Sequence, residues 1–369
     1  MPDGAETRAG SQGKRRPPTF AEATKLRHKA WAAGMDPNHW YAVAFADDIA
    51  PGAATAIGFQ GQKVALFRGQ DGVFRALEDR CAHRQVQLSE GFVRDCALVC
   101  RYHGWTFDGD GALTGFANDL ADRKVVKARV RAYPTAVRYG VVFVFFGDPA
   151  RVDLAALPQI PELEGPRPWL CVPIAYTVRC HPTAVVNNIM DSTHVATLHT
   201  KFNTRSMLYG PVTRCEAEGD RVMVEHEVRL DEKGLLRHIL AAFEHPTQRA
   251  YYDYPYLHVH VGGITALWNF MLPVDDTTTV LLMLSLSKQP HLPLLKLPVP
   301  SLLARPFLGL AKAALVRPLF DEDVWSTEAE QRGYEEHFDA AEIEPHPSIR
   351  PCYELTVRKW SAYLSASGG

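Results

Sequence analysis

Short hydrophobic runs separated by polar turns fill the chain between residues 40 and 148. The segments WYAVAFA, KVALFR and VFRAL have the length of strands, and Gly, Asp and Gln residues stand between them. The run VVFVFF at 141–146 is hydrophobic at both odd and even positions, which predicts a strand buried on both faces. No long helical periodicity appears in this region, so the pattern predicts an all-β domain.

The pattern changes at about residue 150, where the proline-rich stretch LAALPQIPELEGPRPW is typical of a connector between domains. Beyond it, RVMVEHEVRL alternates hydrophobic and polar residues and is predicted to pair with TRCEAE. ITALWNFMLP and TTVLLMLSLS flank a turn and predict a second strand pair, whereas helical patterns appear at about 302–337 and 351–365. Because strands and helices are segregated, we predict an α+β domain with an antiparallel sheet.

These patterns divide the chain into a tail with a lead-in helix at 1–38, an all-β domain at 39–148 and an α+β domain at 149–369. Prolines and four basic residues interrupt the apolar segment at 290–320. It therefore lacks the uncharged run of about 18 residues that a membrane-spanning helix needs. We expect a proline-rich loop leading into a packed helix, with a hydrophobic rim at a substrate entrance as the alternative.

Composition narrows the choice of partners and compartment. The formal net charge of −2 gives no reason to expect nucleic acid or an anionic membrane as a partner. The seven cysteines are odd in number, and their spacing shows no disulfide framework. A reducing compartment fits this pattern, so we expect a cytoplasmic protein in which some cysteines bind metal.

Two Cys–His pairs in the all-β domain form the first candidate metal site. Cys81-x-His83 is followed, after sixteen intervening residues, by Cys100-x-x-His103. Zinc is one alternative, but zinc fingers usually pair Cys with Cys and His with His. A 2Fe–2S cluster of Rieske type needs one Cys and one His from each of two facing loops, and this arrangement favours it.

The segment NNIMDSTHVATLH at 187–199 contains the second candidate site. Asn187, Asp191 and His194 are spaced i, i+4, i+7, which would place them on one stripe of a helix. His199 would point about 140° away from that stripe, because each residue of a helix turns about 100°. The two imidazoles can converge only if the helix ends or loosens into a π-bulge between them.

Two histidines and a carboxylate on one face of an iron ion leave positions open for dioxygen. Asp191 is a candidate for the carboxylate, but it lies one turn before His194 and is better placed to accept the N–H of that imidazole. The third ligand would then come from the acidic stretch at 321–323, at the start of a predicted helix.

The order of these motifs resembles the catalytic subunit of the Rieske non-haem iron oxygenases over residues 40 to 335. HGWTFDGDG after the second Cys–His pair and HRxxxLSxG after Cys81 resemble the two cluster loops of that family. Gln85 stands where the family often has Gly, and Arg101 stands where it often has Pro. The resemblance implies a Rieske domain followed by an α+β catalytic domain of helix-grip type, whose antiparallel sheet is covered by helices.

The resemblance also implies roles for single residues. The iron ligands would be His194, His199 and Asp323, the last chosen over Asp321 because Asp323 and Glu328 match the family's D-x-x-x-x-E pattern. Asp191 would link the iron-ligand histidine to the cluster histidine, at position 103, of a neighbouring subunit, which implies a homotrimer. Asn187 would lie near the iron.

We therefore expect a terminal oxygenase with one Rieske 2Fe–2S cluster, one mononuclear Fe(II) and dioxygen as co-substrate. It would hydroxylate, demethylate or oxidatively cyclise a small hydrophobic substrate. The chain has no Gly-rich nucleotide motif in a fitting strand–helix unit, so electrons would come from a ferredoxin, an NAD(P)H-dependent reductase or both. The alternatives are a non-catalytic electron-transfer protein, a ligand-binding module, and a desaturase or N-oxygenase of the same family.

His258 and His260 are spaced i, i+2 and share one face of a predicted strand. Substrate binding in a pocket is one interpretation. Satisfaction by neighbouring side chains is the commoner outcome for such residues.

Overall fold

The computed structural model describes residues 16–116, 127–199, 207–230, 244–288, 317–341 and 343–368. The first part of the predicted tail and most of the apolar segment at 290–320 lie outside these residues.

The first eleven strands form three antiparallel sheets, in the orders β1-β11-β10, β2-β3-β4-β9 and β5-β6-β7-β8. The strand predicted at 141–146 is observed at Val141–Phe145, in the centre of the first sheet, and all five of these residues are buried, as expected. The strands are β1 Trp40–Phe45, β2 Ala54–Phe59, β3 Gln62–Arg68, β4 Phe74–Glu78, β5 Phe92–Arg94, β6 Ala97–Val99, β7 Thr106–Phe107, β8 Leu113–Gly115, β9 Ala132–Tyr133, β10 Thr135–Arg138 and β11 Val141–Phe145.

The remaining strands form one seven-stranded antiparallel sheet, in the order β12-β18-β17-β16-β15-β14-β13. Both predicted strand pairs are present, because β13 pairs with β14 and β17 pairs with β18. The strands are β12 Leu170–Val178, β13 Met207–Glu218, β14 Arg221–Leu230, β15 Thr247–Asp253, β16 Tyr256–Val261, β17 Thr265–Asp275 and β18 Thr278–Ser287. The antiparallel sheet of the α+β prediction is therefore confirmed.

Helices cover one face of this sheet and the β-domain covers the other. Val224, Tyr252 and Met271 belong to a buried cluster with residues of α2 and α5, whereas Trp268 and Phe270 pack with strands of the β-domain. The described α-helices are α1 Leu26–Trp31, α2 Pro182–Met190, α3 Val195–Leu198, α4 Arg317–His337 and α5 Ile349–Ala366. Burial on both faces explains why β17 and β18 are hydrophobic at both odd and even positions.

His258 and His260 lie on the sheet face that packs against the β-domain, and neighbours satisfy both rings. His258 Nε2 is 3.1 Å from Asp253 Oδ2, and its Nδ1 is 2.8 Å from His260 Nε2. His260 Nδ1 is in turn 3.1 Å from Glu162 Oε1, in the proline-rich connector. This chain of polar contacts ties the connector to the sheet.

Glu162→Ala should lower the free energy of unfolding by about 1–3 kcal/mol, because His260 loses its acceptor at a largely buried position. The thermal unfolding midpoint of the holoenzyme measures the change. Glu354→Ala, which removes an exposed carboxylate paired with Arg350 on α5, is the control and should change stability by at most about 0.5 kcal/mol. Equal shifts in the two variants would mean that the connector is not held by this chain of contacts.

Candidate metal centres

The four predicted cluster ligands lie on two loops, one after β4 and one after β6. The Cys81 backbone N–H donates to Val86 O (2.8 Å), and the Cys100 backbone N–H donates to Trp105 O (2.8 Å), so each loop closes into a tight turn. Both cysteines are buried, at 1% and 2% exposure. The imidazoles of His83 and His103 are on the exposed side, with ring centroids 4.7 Å apart.

The donor chemistry of these loops fits a Rieske cluster. Burial, together with the neighbouring Cys100 thiol, raises the pKa of Cys81 to about 11. Two adjacent buried thiols become thiolates readily only when a cation compensates their charge, as iron does. Trp105 stacks on His83, with ring centroids 4.8 Å apart and planes 6° from parallel, and so fixes the orientation of that imidazole.

The structure gives a physical reason for the family's preference at position 85. Gln85 has φ of 63°, in the left-handed region that favours Gly. Its backbone N–H donates to Cys81 O at 3.0 Å, so the turn around the first ligand depends on this conformation. A side chain here costs about 1–2 kcal/mol relative to glycine, and the loop keeps its turn nevertheless.

The segment with the second site is not one continuous helix. α2 ends at Met190, and Asp191 leaves helical geometry, with φ −108° and ψ 89°. A short 3-10 helix, Ser192–His194, and then α3 follow, and the chain leaves helical geometry again at His199. The predicted break before His199 is therefore present. The prediction of one stripe through positions 187, 191 and 194 is wrong, because a second break occurs at Asp191.

The two breaks bring His194 and His199 together with Asp323 of α4. Asp323 Oδ1 is 3.3 Å from His194 Nε2 and 3.5 Å from His199 Nε2. One donor atom from each of the three residues lies within 4.8 Å of the others. Two imidazoles and one carboxylate that converge in this way match the donor set of non-haem Fe(II) sites. Asp321 lies elsewhere, and its Oδ1 accepts a hydrogen bond from the Tyr176 hydroxyl at 3.0 Å.

The other nitrogen of each imidazole has its own partner. His194 Nδ1 is 2.7 Å from the backbone oxygen of Asp191, and His199 Nδ1 is 3.3 Å from Glu322 Oε2. These contacts direct both Nε2 atoms towards Asp323. Burial opposes protonation of His194, but the hydrogen bond to Asp323 and its charge outweigh burial and raise the pKa of the imidazole.

The contact predicted between the Asp191 carboxylate and His194 is made instead by the Asp191 backbone carbonyl, which is free because the helix has ended. The carboxylate Oδ1 accepts hydrogen bonds from Thr193 N (3.0 Å) and Thr193 Oγ1 (2.6 Å). The Asp191 side chain is 33% exposed, so it is partly accessible from outside the protomer.

The structure places Asn188, and not Asn187, beside the converging donors. Asn188 Nδ2 is 3.2 Å from Asp323 Oδ1, whereas Asn187 Nδ2 donates to Glu330 Oε1 (2.6 Å) and Tyr353 OH (3.1 Å). Burial raises the pKa of Glu330 to about 7. Sequence reasoning missed Asn188 because it followed a continuous stripe. Glu322 belongs to the acidic stretch at 321–323, which sequence reasoning considered only as a source of the third ligand. Its place in this stretch was the only signal for its contact with His199.

Comparison with known proteins agrees with this geometry. Residues 39–133 match the Rieske 2Fe-2S domain family. The chain is 36% identical over 341 residues to 4beta-methylsterol monooxygenase from Methylococcus capsulatus, covering 91% of this chain and 92% of that protein. It is 33% identical over 163 residues to a vanillate O-demethylase oxygenase subunit from a Pseudomonas species, covering 44% and 48%.

Solved structures have the same fold. Dicamba monooxygenase bound to dicamba superposes with a TM-score of 0.67 at 20% identity, covering 90% of this chain and 100% of that one. The terminal oxygenase of carbazole 1,9a-dioxygenase from Nocardioides aromaticivorans superposes with a TM-score of 0.65 at 22% identity, covering 90% and 96%.

Since a relative at this identity spans nearly the whole chain, the protein belongs to the Rieske non-haem iron oxygenases. Within that family it is a terminal oxygenase, an enzyme whose cofactors are a 2Fe–2S cluster and a mononuclear iron and whose co-substrate is dioxygen. Among the described helices, none combines the length and apolarity that crossing a membrane requires.

Asn188→Ala should weaken Fe(II) binding by about tenfold, because Asp323 loses the amide that orients its carboxylate. Asn187→Ala is the matched control on the same helix and should change iron affinity much less. Competition with a chelator, followed by iron analysis of the holoenzyme, measures both affinities. A larger loss of iron affinity in Asn187→Ala than in Asn188→Ala would indicate that Asn187, and not Asn188, acts near the iron.

Proposed function

We propose that this chain receives electrons at Cys81, His83, Cys100 and His103 and oxidises a small hydrophobic substrate at His194, His199 and Asp323. The convergence of the last three residues carries the proposal, since their donor atoms lie within 4.8 Å of one another. When bound, the cluster supplies electrons one at a time, and the mononuclear iron supplies open positions for dioxygen. We assign the cluster to residues 39–148 and the iron to residues 149–369.

The chain's own residues prepare both sites. The Asp191 carbonyl and the Glu322 carboxylate hold the outer nitrogens of the two iron-site imidazoles, so that their Nε2 lone pairs face inwards. The Asn188 amide orients the Asp323 carboxylate from the side. In the β-domain, the buried cysteines exclude water from the sulfur side of the cluster loops, while the histidine side stays open to a partner.

A ferredoxin or an NAD(P)H-dependent reductase would deliver the electrons at this open side. His83 and His103 are exposed there, and Tyr102, next to His103 in the second loop, is 62% exposed. A related oxygenase, that of carbazole 1,9a-dioxygenase, has been solved in complex with a ferredoxin. We also propose a cytoplasmic location, which the seven free cysteines support.

The two sites would act together across subunits of a homotrimer. The Asp191 carboxylate is partly accessible and its Oδ1 is held by Thr193, which leaves Oδ2 to accept a hydrogen bond from outside. His103 is exposed and has the N–H to donate. Asp191 of one subunit would thus connect the cluster histidine of its neighbour to His194.

For the substrate, we propose a methyl-bearing polycyclic compound of the sterol type. The relative that this chain spans almost completely is a 4beta-methylsterol monooxygenase, whereas the vanillate O-demethylase is matched over less than half its length. The test incubates the reconstituted system with a 4β-methylsterol, with vanillate and with dicamba, and analyses the products by mass spectrometry. Oxidation of the sterol methyl group is expected, and turnover of only the aromatic compounds would contradict the proposal.

Asp323→Ala should remove mononuclear iron and turnover while the visible spectrum of the cluster is unchanged, because the ligand sets lie on separate domains. The wild-type holoenzyme should contain about three iron atoms and about two acid-labile sulfides per chain, and the variant about two of each. Asp321→Ala is the control and should keep its iron. Iron retained in Asp323→Ala and lost in Asp321→Ala would reverse the assignment.

Asp191→Asn should keep both metals and slow cluster reoxidation with dioxygen and the sterol probe by at least about tenfold, since a neutral amide oxygen makes a weaker hydrogen bond to the neighbour's imidazole N–H than a carboxylate does. Stopped-flow absorbance of the cluster measures the rate, and light scattering measures the subunit number. A fully active monomer would refute the shared site, and loss of iron would make Asp191 a ligand.

A further inference from the structure

Two buried histidines from distant segments stack behind Asp191. His226 of β14 and His346, just before α5, are 1% and 7% exposed, and their ring centroids are 5.3 Å apart with planes at 22°. Their Nε2 atoms are 3.3 Å apart, and His346 Nε2 is 3.8 Å from Asp191 Oδ1. Neither histidine belongs to the cluster loops or to the converging iron donors, so the function described so far does not use them.

The hydrogen bonds around His346 fix its neutral form. The Ser348 hydroxyl donates to the backbone oxygen of Met190 at 3.0 Å, so its oxygen must accept from His346 Nδ1 at 2.8 Å. His346 therefore carries its proton on Nδ1, and its Nε2 is a lone pair. That lone pair accepts a hydrogen bond from the His226 Nε2–H, so each neutral ring carries one N–H and the His226 N–H lies between the two rings.

In this neutral state neither histidine donates a hydrogen bond to the Asp191 carboxylate. Within the described part of the chain, the carboxylate Oδ1 accepts hydrogen bonds from Thr193 alone, and its distance of 3.8 Å to His346 Nε2 is too long for a hydrogen bond. One further proton would bind at His226 Nδ1, which has no hydrogen-bond partner among the described residues, and the N–H between the rings would shift to His346 Nε2. The resulting imidazolium would be buried and would face the partly exposed Asp191 carboxylate, with less screening of their attraction than in water.

We propose that His346 is a positioning residue for Asp191. While the histidine pair is neutral, the carboxylate is free to reach the neighbouring subunit. When the pair takes up one more proton from water and becomes positively charged, His346 draws the carboxylate inwards. The inference rests on the bridging role of Asp191 in the proposed function. It predicts that electron transfer between the two metal sites slows at acid pH because of two histidines within one protomer.

The groups that face the histidine pair determine the direction in which its pKa is shifted. Asp191 approaches from the end of α2, and Tyr209 of β13 and Gln248 of β15 lie beside His226 on the sheet. The Glu344 carboxylate accepts from the His346 backbone N–H. Burial lowers the pKa of both histidines, and Asp191 opposes this only in part. The pair therefore takes up its additional proton only at a pH below the ordinary imidazole pKa of about 6.5. Electron transfer should become slower as the pH falls below this value.

The experiment follows reoxidation of the reduced cluster in the holoenzyme between about pH 5 and about pH 8. Air-saturated buffer with a 4β-methylsterol is one arm, and air-saturated buffer alone is the second. Each rate is divided by the rate of the same protein at the upper pH, so slow absolute turnover does not matter. The wild-type ratio should fall about tenfold towards the acid end.

His346→Asn keeps a donor near Ser348 but cannot take a second proton, so its ratio should stay within about twofold over the same range. His346→Gln, which also lacks an ionisable ring, should lose the fall in rate at acid pH as well and guards against a folding defect in the first variant. His28→Asn, in α1, is the matched control and should keep the wild-type fall in rate at acid pH. Iron content and the cluster spectrum are checked in every variant.

A fall in rate at acid pH of wild-type size in both His346→Asn and His346→Gln would overturn the inference while leaving the electron bridge in place. Wild-type reoxidation in Asp191→Asn would instead show that the bridge itself fails. The two results come from different variants, so failure of the inference and failure of the proposed function are distinguishable.

Discussion

The departure of the backbone from helical geometry at Asp191 is the constraint on which the iron site depends. In a continuous helix the carbonyl of Asp191 would be bonded within the helix, and here it is free to accept from His194 Nδ1. The same turn moves the carboxylate off the helix stripe and towards the outside of the protomer. One pair of backbone angles thus orients the His194 imidazole and presents the carboxylate that would connect this histidine to the cluster histidine of the neighbouring subunit.

The seven-stranded sheet fixes the positions of the parts around this turn. Its helical face holds α2 and α5, which carry or support the iron-site residues, and its other face packs on strands of the β-domain. A sheet covered on both faces has little freedom to shift, because side chains interdigitate on each side. The connector is held to the second face by Glu162 and His260, so the link between domains is also anchored.

Sequence alone predicted what local spacing determines. The buried strand at 141–146, both strand pairs and the two Cys–His loops follow from periodicity and short motifs, and the structure contains all of them. Contacts between distant segments could not be read in this way. Asn188, and not Asn187, lies beside Asp323, and the Asp321 carboxylate is bonded to Tyr176 of β12, away from the converging donors. His226 and His346 are 120 positions apart, and no periodicity relates them.

The β5-β6-β7-β8 sheet and its loops pack against one face of β3 and β4 in a hydrophobic cluster that includes Leu88, Leu98 and Phe107. Among the described residues, this cluster shares none with the clusters at the main sheet. Changes in separate clusters usually contribute additively to stability. The end of the molecule that holds Cys81 and Cys100 is therefore a cassette for protein engineering. The cost in stability of substitutions in its loops should therefore add to the cost of substitutions around the iron, so the stability of combined variants can be predicted from the single ones.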